Sequence, residues 1–171
     1  CRRLIVVLAL SLAGVTVQPQ PAPAAEIKAP LPAPPVLSQA KRLLDKGEAE
    51  SAATVLRRFL ATSPPPEHLD DTYLLLGAAL YSMKEYSEAI KYLNQLQTEF
   101  PASDVNERGK IMLARTHAAM GNIDLALPLL TQLRAGTINE DTKHEALRLT
   151  AEFLVQKKEY VRAIEALLQE S

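Results

Sequence analysis

The feature that most constrains the fold of this chain is an internal repeat of 37 residues. An alanine recurs at this spacing four times, a leucine follows each alanine four residues later, and a small residue stands twelve residues before it. The three columns are Ala52, Ala89, Ala126 and Ala163; Leu56, Leu93, Leu130 and Leu167; and Ala40, Gly77, Ala114 and Ala151. A period of about 20 to 50 residues is typical of architectures in which each unit packs only on its neighbours.

The second unit shows what each repeat contains. Its apolar and small residues recur at the i, i+3, i+4 and i+7 positions that line one face of a helix. In the first helix these are Tyr73, Leu76, Gly77 and Leu80, and in the second they are Ala89, Leu93 and Leu96. Glycine inside a helix costs about 1 kcal/mol relative to alanine. Gly77 therefore predicts that the two helices approach closely, with Ala89 opposite.

This unit resembles the tetratricopeptide repeat, whose W-x2-L-G-x2-Y…A-x3-F…P pattern corresponds here to Tyr73, Leu76, Gly77, Leu80, Ala89, Leu93 and Pro101. The resemblance extends over residues 37–171. It implies an all-α fold, a right-handed solenoid of about four helix-turn-helix repeats and eight helices. The expected repeats cover residues 37–66, 70–103, 107–138 and 144–171.

The third unit departs most from this pattern. Lys110 replaces its first large apolar residue, and His117 replaces its aromatic residue. Pro128 stands early in the second helix, where its missing N–H predicts a kink or a displaced helix start.

Residues 1–17 form a segment that is typical of a secretory signal. Arg2 and Arg3 precede the mostly apolar run 4–13. Ten helical residues span roughly 15 Å, about half of a bilayer core, so a transmembrane helix is not expected. A buried N-terminal helix is the alternative. The stretch 12–14, Leu-Ala-Gly, resembles the start of a bacterial lipoprotein box, but Val15 stands where the lipidated cysteine is expected. Lipidation therefore stays open, as does ordinary signal cleavage near 22–24.

Residues 18–36 form a linker rich in proline and alanine. Proline favours an extended, semi-rigid chain, so we expect a spacer that holds the repeats away from a membrane surface. A ligand for an SH3-like domain is the alternative interpretation.

The charge balance argues against nucleic-acid binding, and the absence of catalytic motifs argues against an enzyme. The 19 basic and 20 acidic residues give a net charge of −1, without the basic excess of a nucleic-acid binder. A single cysteine excludes a disulfide framework and a multi-cysteine zinc site. His68 and His144 are expected to be solvated and His117 to be partly buried, and none of them lies in a metal-binding or nucleophile motif. We expect a non-enzymatic protein without cofactor or metal.

The family resemblance implies that the first helix of each pair lines a concave face where protein ligands bind. Carried over to this sequence, that face comprises Leu74, Leu75, Ala78 and Tyr81; Arg108, Ile111, Met112 and Arg115; and Arg148, Leu149 and Glu152. Three arginines beside exposed aliphatic residues are suited to an extended peptide or an acidic helix. The alternative is that the arginines are solvated and the aliphatic residues pack between neighbouring pairs.

The Phe-Pro-Ala-Ser stretch at 100–103 is similar to envelope members of the family. With the export segment, it favours the N-terminal repeat domain of a lipoprotein activator of penicillin-binding proteins, acting on peptidoglycan synthesis from the periplasm or the periplasmic face of the outer membrane. The alternatives are a rigid arm of a larger periplasmic ligand-binding protein and a subunit of an outer-membrane protein assembly complex. Because no polar capping element follows the last helix, we expect either an N-terminal piece of a longer protein or a last helix that docks on a partner.

Overall fold

A computed structural model describes residues 34–136 and 139–168. The signal-like segment and all but the last three residues of the predicted linker lie outside this range. The described residues form eight α-helices and one 3-10 turn, Pro66–His68, and include no strand. The helices are α1 Pro35–Asp45, α2 Ala49–Ala61, α3 Leu69–Ser82, α4 Tyr86–Glu99, α5 Asn106–Ala119, α6 Ile123–Gly136, α7 Glu140–Gln156 and α8 Tyr160–Leu168. The predicted all-α architecture of eight helices is confirmed.

The helices stack as four pairs, each closed by a turn of three residues that makes its two helices antiparallel neighbours. The second helix of each pair packs against the first helix of the next pair. Successive first helices, α1, α3, α5 and α7, also contact one another, whereas the described parts of the second helices do not. When successive pairs contact one another only through their first helices, the stack curves toward the side of those helices. The first helices therefore line the concave face of the solenoid.

The turn inside each pair has the same backbone conformation in all four repeats. Its second residue has a positive φ, and the residues concerned are Gly47, Lys84, Gly121 and Lys158, with φ between 62° and 81°. The following residue donates its N–H to a carbonyl in the last turn of the first helix, as from Glu85 to Leu80 at 2.9 Å. This Schellman closure satisfies carbonyls that would otherwise lack donors. The second helices consequently begin at intervals of 37 residues, at Ala49, Tyr86, Ile123 and Tyr160.

The core of each pair is built around the aligned alanine and leucine columns. Ala52, Ala89 and Ala126 are fully buried, and Ala163 is nearly so. Gly77 lies against Leu93 across the second pair, so closely that a Cβ on Gly77 would stand 2.7 Å from Leu93 Cγ. The close approach predicted from Gly77 is therefore present, but the side chain nearest to Gly77 is Leu93 and not Ala89 as predicted.

Three expectations need correction. The linker boundary expected at residue 36 falls within α1, because Pro34 and Pro35 are well suited to the cap and first turn of a helix. Pro128 does not displace the start of α6, which begins at Ile123 like its counterparts. His68 is buried rather than solvated, because the 3-10 turn packs it against the start of α3.

Among the described residues, no helix combines the length and apolar character needed to cross a bilayer.

Replacing Gly77 with alanine is expected to destabilise the fold, although alanine is the better helix former. The new Cβ would overlap the fully buried Leu93 side chain, and overpacking of this kind costs about 1–3 kcal/mol. Urea unfolding followed by circular dichroism measures the change in the free energy of unfolding. Gly136→Ala is the matched control, because a Cβ there has no neighbour within 4 Å. Equal stability of Gly77→Ala and wild type would contradict the close packing.

Substitution of the left-handed turn residue is expected to change the free energy of unfolding in the opposite direction. Lys84 adopts φ 62°, a conformation that disfavours side chains other than glycine, so Lys84→Gly is expected to raise the free energy of unfolding by about 0.5–1 kcal/mol. Gly121→Ala, at φ 81°, should lower it by a similar amount. Thermal unfolding of both variants provides the measurement, and two shifts of the same sign would refute the assignment.

Candidate interaction site on the concave face

A groove of about 310 Å³ lies on the concave face, where α3, α5 and α7 come together. We call it the concave site. Its lining residues are Tyr81, Arg115, Ala118, Ala119, Arg148, Leu149, Glu152, Phe153 and Gln156. Residues far apart in the sequence thus meet at one surface because each belongs to a first helix.

Helical spacing explains which side chains reach the groove. Arg115 and Ala119 lie four residues apart on α5, and Arg148 and Glu152 lie four residues apart on α7. The neighbouring face of α5 is held in the core by Ala114 and Ala118. Packing therefore fixes the helix backbones and leaves the charged faces turned toward the groove.

Two ion pairs organise the charges around the site. Arg115 Nη2 donates to Glu145 Oε1 at 2.8 Å and links α5 to α7. Arg148 Nη1 donates to Glu152 Oε2 at 3.3 Å within α7, and both side chains are 60% exposed. Exposed pairs of this kind contribute only about 0–1 kcal/mol to stability. An incoming carboxylate can therefore compete with either glutamate for its arginine.

Arg115 also has an unused donor. Its Nε is buried and has no hydrogen-bond partner within the described part of the chain. A buried N–H without an acceptor costs about 1–3 kcal/mol. Because this atom is covered, a ligand in the groove would be held by the exposed remainder of the guanidinium. Carboxylate oxygens and backbone carbonyl oxygens are the acceptors that a guanidinium binds best.

The structure brings together five of the eleven residues predicted on the concave face: Tyr81, Arg115, Arg148, Leu149 and Glu152. Arg108 is exposed elsewhere on α5. Its positive charge affects Asp71: burial raises the pKa of Asp71, and the charge of Arg108 opposes that rise. Whether any of these side chains contacts a partner stays a prediction.

The expectation that the aliphatic residues of this face are exposed is wrong for Leu74, Ile111 and Leu149, which are all buried. Leu74 belongs to the core cluster shared by α3, α4 and α5, and Ile111 and Leu149 belong to the cluster shared by α5, α6 and α7. For these three residues the alternative interpretation, packing between neighbouring pairs, is correct. The physical reason is that α3, α5 and α7 each pack on three or four neighbouring helices and keep only a narrow exposed stripe.

Sequence reasoning missed Glu145 and Gln156. Both follow from the helical spacing of α7, because residues 145, 148, 152 and 156 lie on one face at intervals of three and four. Counting outward from Arg148 would have identified them.

His117 lies in α5 and is half-buried. Burial lowers its pKa below the ordinary histidine value, because the charged form loses water that nothing replaces. Its Nδ1 is buried without a hydrogen-bond partner among the residues described. This agrees with the predicted role of His117 as a partly buried structural residue. His144 is exposed, as expected.

A second, larger depression of about 490 Å³ lies between α6 and α7 and is lined in part by His144, Lys143 and Glu140. Lys143 Nζ is already paired with Glu140 Oε1 at 2.6 Å. Within residues 34–136 and 139–168, no group of three His, Cys, Asp or Glu side chains is arranged to hold a metal ion. The concave site remains the stronger candidate because arginine donors from different helices converge there.

Comparison with known proteins identifies the repeats. Two family models, both described as tetratricopeptide repeat, match residues 71–103 and 111–171, together more than half of the chain. No curated protein matches the sequence. Among solved structures, the chain is similar to PcrH in complex with the chaperone binding region of PopB, with a TM-score of 0.57 and 18% sequence identity. The similarity covers 70% of this chain and 92% of that one, and at this identity it shows the fold alone.

The lowered pKa of His117 predicts how stability depends on pH. The unfolded chain binds a proton at this residue below about pH 6.5, whereas the folded chain binds it only at lower pH. The free energy of unfolding should therefore fall as the pH drops below about 6.5. In the variant His117→Gln this free energy should fall less steeply. Urea titrations between pH 7.5 and 5 measure this slope. His144→Gln removes an exposed histidine as the control, and an equal effect in both variants would contradict the assignment.

Proposed function

Because the chain belongs to the tetratricopeptide repeat family, we propose that it is a non-enzymatic scaffold that binds another protein through the concave site. The observation that carries this proposal is the pair of arginines in the groove, Arg115 and Arg148, which come from different helices and are paired only in solvent-accessible ion pairs. Because exposed ion pairs add little to stability, a ligand carboxylate can replace a glutamate at either guanidinium.

The chemistry of the groove favours an extended segment that carries an acidic side chain. The carboxylate would bind between Arg115 and Arg148, and the backbone would lie over the apolar floor formed by Leu149 and Phe153. Tyr81 stands at the α3 side, where its ring is 5.7 Å from that of Tyr86. Aromatic and arginine side chains are the residues most often found at the energetic centre of protein interfaces.

The solved structure of PcrH shows a similar fold in complex with a region of another protein, PopB. This supports a protein as the ligand class of such a solenoid.

The finer proposal places the protein in the bacterial envelope as the repeat domain of a penicillin-binding protein activator that regulates peptidoglycan synthesis. Its support is the signal-like segment 1–17, the Pro/Ala-rich linker 18–36 and the resemblance at 100–103. No cofactor, metal or nucleic acid is part of this proposal. The partner would be a penicillin-binding protein or another periplasmic or outer-membrane protein.

The test is recovery of partners from a bacterial envelope extract on the immobilised full chain. Arg148→Glu is the informative variant because its side chain is 60% exposed, so reversing its charge should leave the fold intact. We expect partner recovery to fall about tenfold, as the loss of one charge-assisted hydrogen bond predicts. Arg58→Glu, at an exposed position of the second helix α2, makes the same charge change outside the concave face.

The identity of the captured protein separates the finer alternatives. A penicillin-binding protein held by wild type and Arg58→Glu, but not by Arg148→Glu, would support the activator. A barrel-assembly protein held in the same pattern would keep the scaffold and replace the activator. If Arg148→Glu retained every partner, the concave site would not be the binding surface.

A further inference from the structure

The concave face carries charges of both signs, and this balance limits the ligands that it suits. Each arginine predicted on this face has a carboxylate close to it. The three combinations are Arg115 with Glu145, Arg148 with Glu152, and Arg108 with Asp71. A face with balanced charges does not attract an acidic segment over a long range. Recognition therefore depends on which charges meet at short range.

The two ion pairs at the concave site differ in how firmly they are held. Arg115 and Glu145 join two helices at 2.8 Å and are the less exposed pair. Arg148 and Glu152 lie within α7 at the longer distance of 3.3 Å. Their order along the helix is also the weaker one, because an i, i+4 pair is more stable when the acidic residue comes first. A ligand therefore separates Arg148 from Glu152 at the lower cost.

Separating this pair leaves two opposite charges in the groove. Both Arg148 and Glu152 line it, so both would face the ligand. A ligand that supplies a carboxylate alone would bind Arg148 but would lie beside the released carboxylate of Glu152, and two like charges repel. A ligand that also supplies a cation would pair with both side chains and avoid this repulsion.

The spacing of the two charges matches that of an extended chain. Residues 148 and 152 are separated by four helical residues, a rise of about 6 Å. In an extended segment, side chains two residues apart point to the same side and are separated by about 6.6 Å. We propose that the concave site binds an extended segment in which an acidic and a basic side chain lie two residues apart, the acidic one at Arg148 and the basic one at Glu152. This inference rests on the proposed function, because it takes the concave site as the binding surface.

The neighbouring side chains give each end of the pair a second group of the same character. Arg115 reaches Glu145, which lies one turn before Arg148, and so brings a second guanidinium to the end that receives the acidic side chain. Gln156 lines the groove one turn beyond Glu152, where its amide oxygen is a second acceptor for the cation. The two ends of the groove therefore differ in the charge that they accept.

Fluorescence anisotropy with the full chain and labelled synthetic peptides tests the proposal. The first peptide has blocked termini and carries a glutamate and a lysine two residues apart between leucines. The second peptide has glutamine in place of the lysine. Both orders of the two charged residues are used, since an extended segment can run either way along α7. We expect wild type to bind the first peptide about fivefold more tightly than the second, as one partly exposed ion pair predicts.

The variant Glu152→Gln should bind both peptides equally, because the lysine has lost its acceptor. Glu50→Gln is the matched control: it removes an exposed carboxylate from the second helix α2 and should keep the fivefold preference. Equal binding of both peptides by wild type would overturn the proposal, as would a preference that persists in Glu152→Gln. In those cases the scaffold would still stand if Arg148→Glu weakened both peptides. If neither peptide bound, or if Arg148→Glu changed neither affinity, the concave site itself would be refuted and this inference would fail with it.

Discussion

The structure depends on small buried residues inside each pair, where the second helix crosses the first. Ala52, Ala89 and Ala126 have no exposed surface, and in the second pair a glycine replaces even the Cβ of the facing helix. Interiors this dense have little freedom to adjust, so the crossing sets the separation of the two helices. The left-handed turn then sets where the second helix begins. With both repeated every 37 residues, successive pairs stack by nearly the same step.

The concave site is a consequence of that stacking. No single repeat contains a binding site, because α3, α5 and α7 each pack on three or four neighbouring helices and expose only a narrow stripe. The stripes of α5 and α7 become one surface where Arg115 reaches Glu145 across the gap. Substitutions at exposed positions are enough to change the chemistry of such a surface, because the buried alanine and leucine columns keep the helices in place. The arginines can therefore be specific to this chain even though the fold is shared.

The repeat columns predicted the fold well because they report core packing, which leaves a strong periodic pattern. The eight helices, their pairing and the close approach at Gly77 all follow from it. The site was predicted less completely. The family pattern identified the first helices, but it did not show which side of each helix is covered by its neighbours. Leu74 and Ile111, which are buried, were therefore assigned to the same exposed face as Arg148. Burial there depends on a neighbour 37 residues away, and local spacing does not contain that information. His68 was missed for the same reason, because a linker residue is buried only by tertiary packing.

The first and last helices of the described stack carry different side chains at their outward positions. At α1, three positions that are apolar in α3 become polar, and the helix faces water without penalty. At α8 the apolar pattern is retained, but of its nine residues only Ala163 and Ala166 are buried. Stability in a repeat array comes largely from contacts between neighbouring helices, so α8 depends on its packing against α7. The same helix, α7, also carries Arg148 and Glu152 of the concave site. Packing of α8 on α7 therefore supports the helix that presents these two side chains.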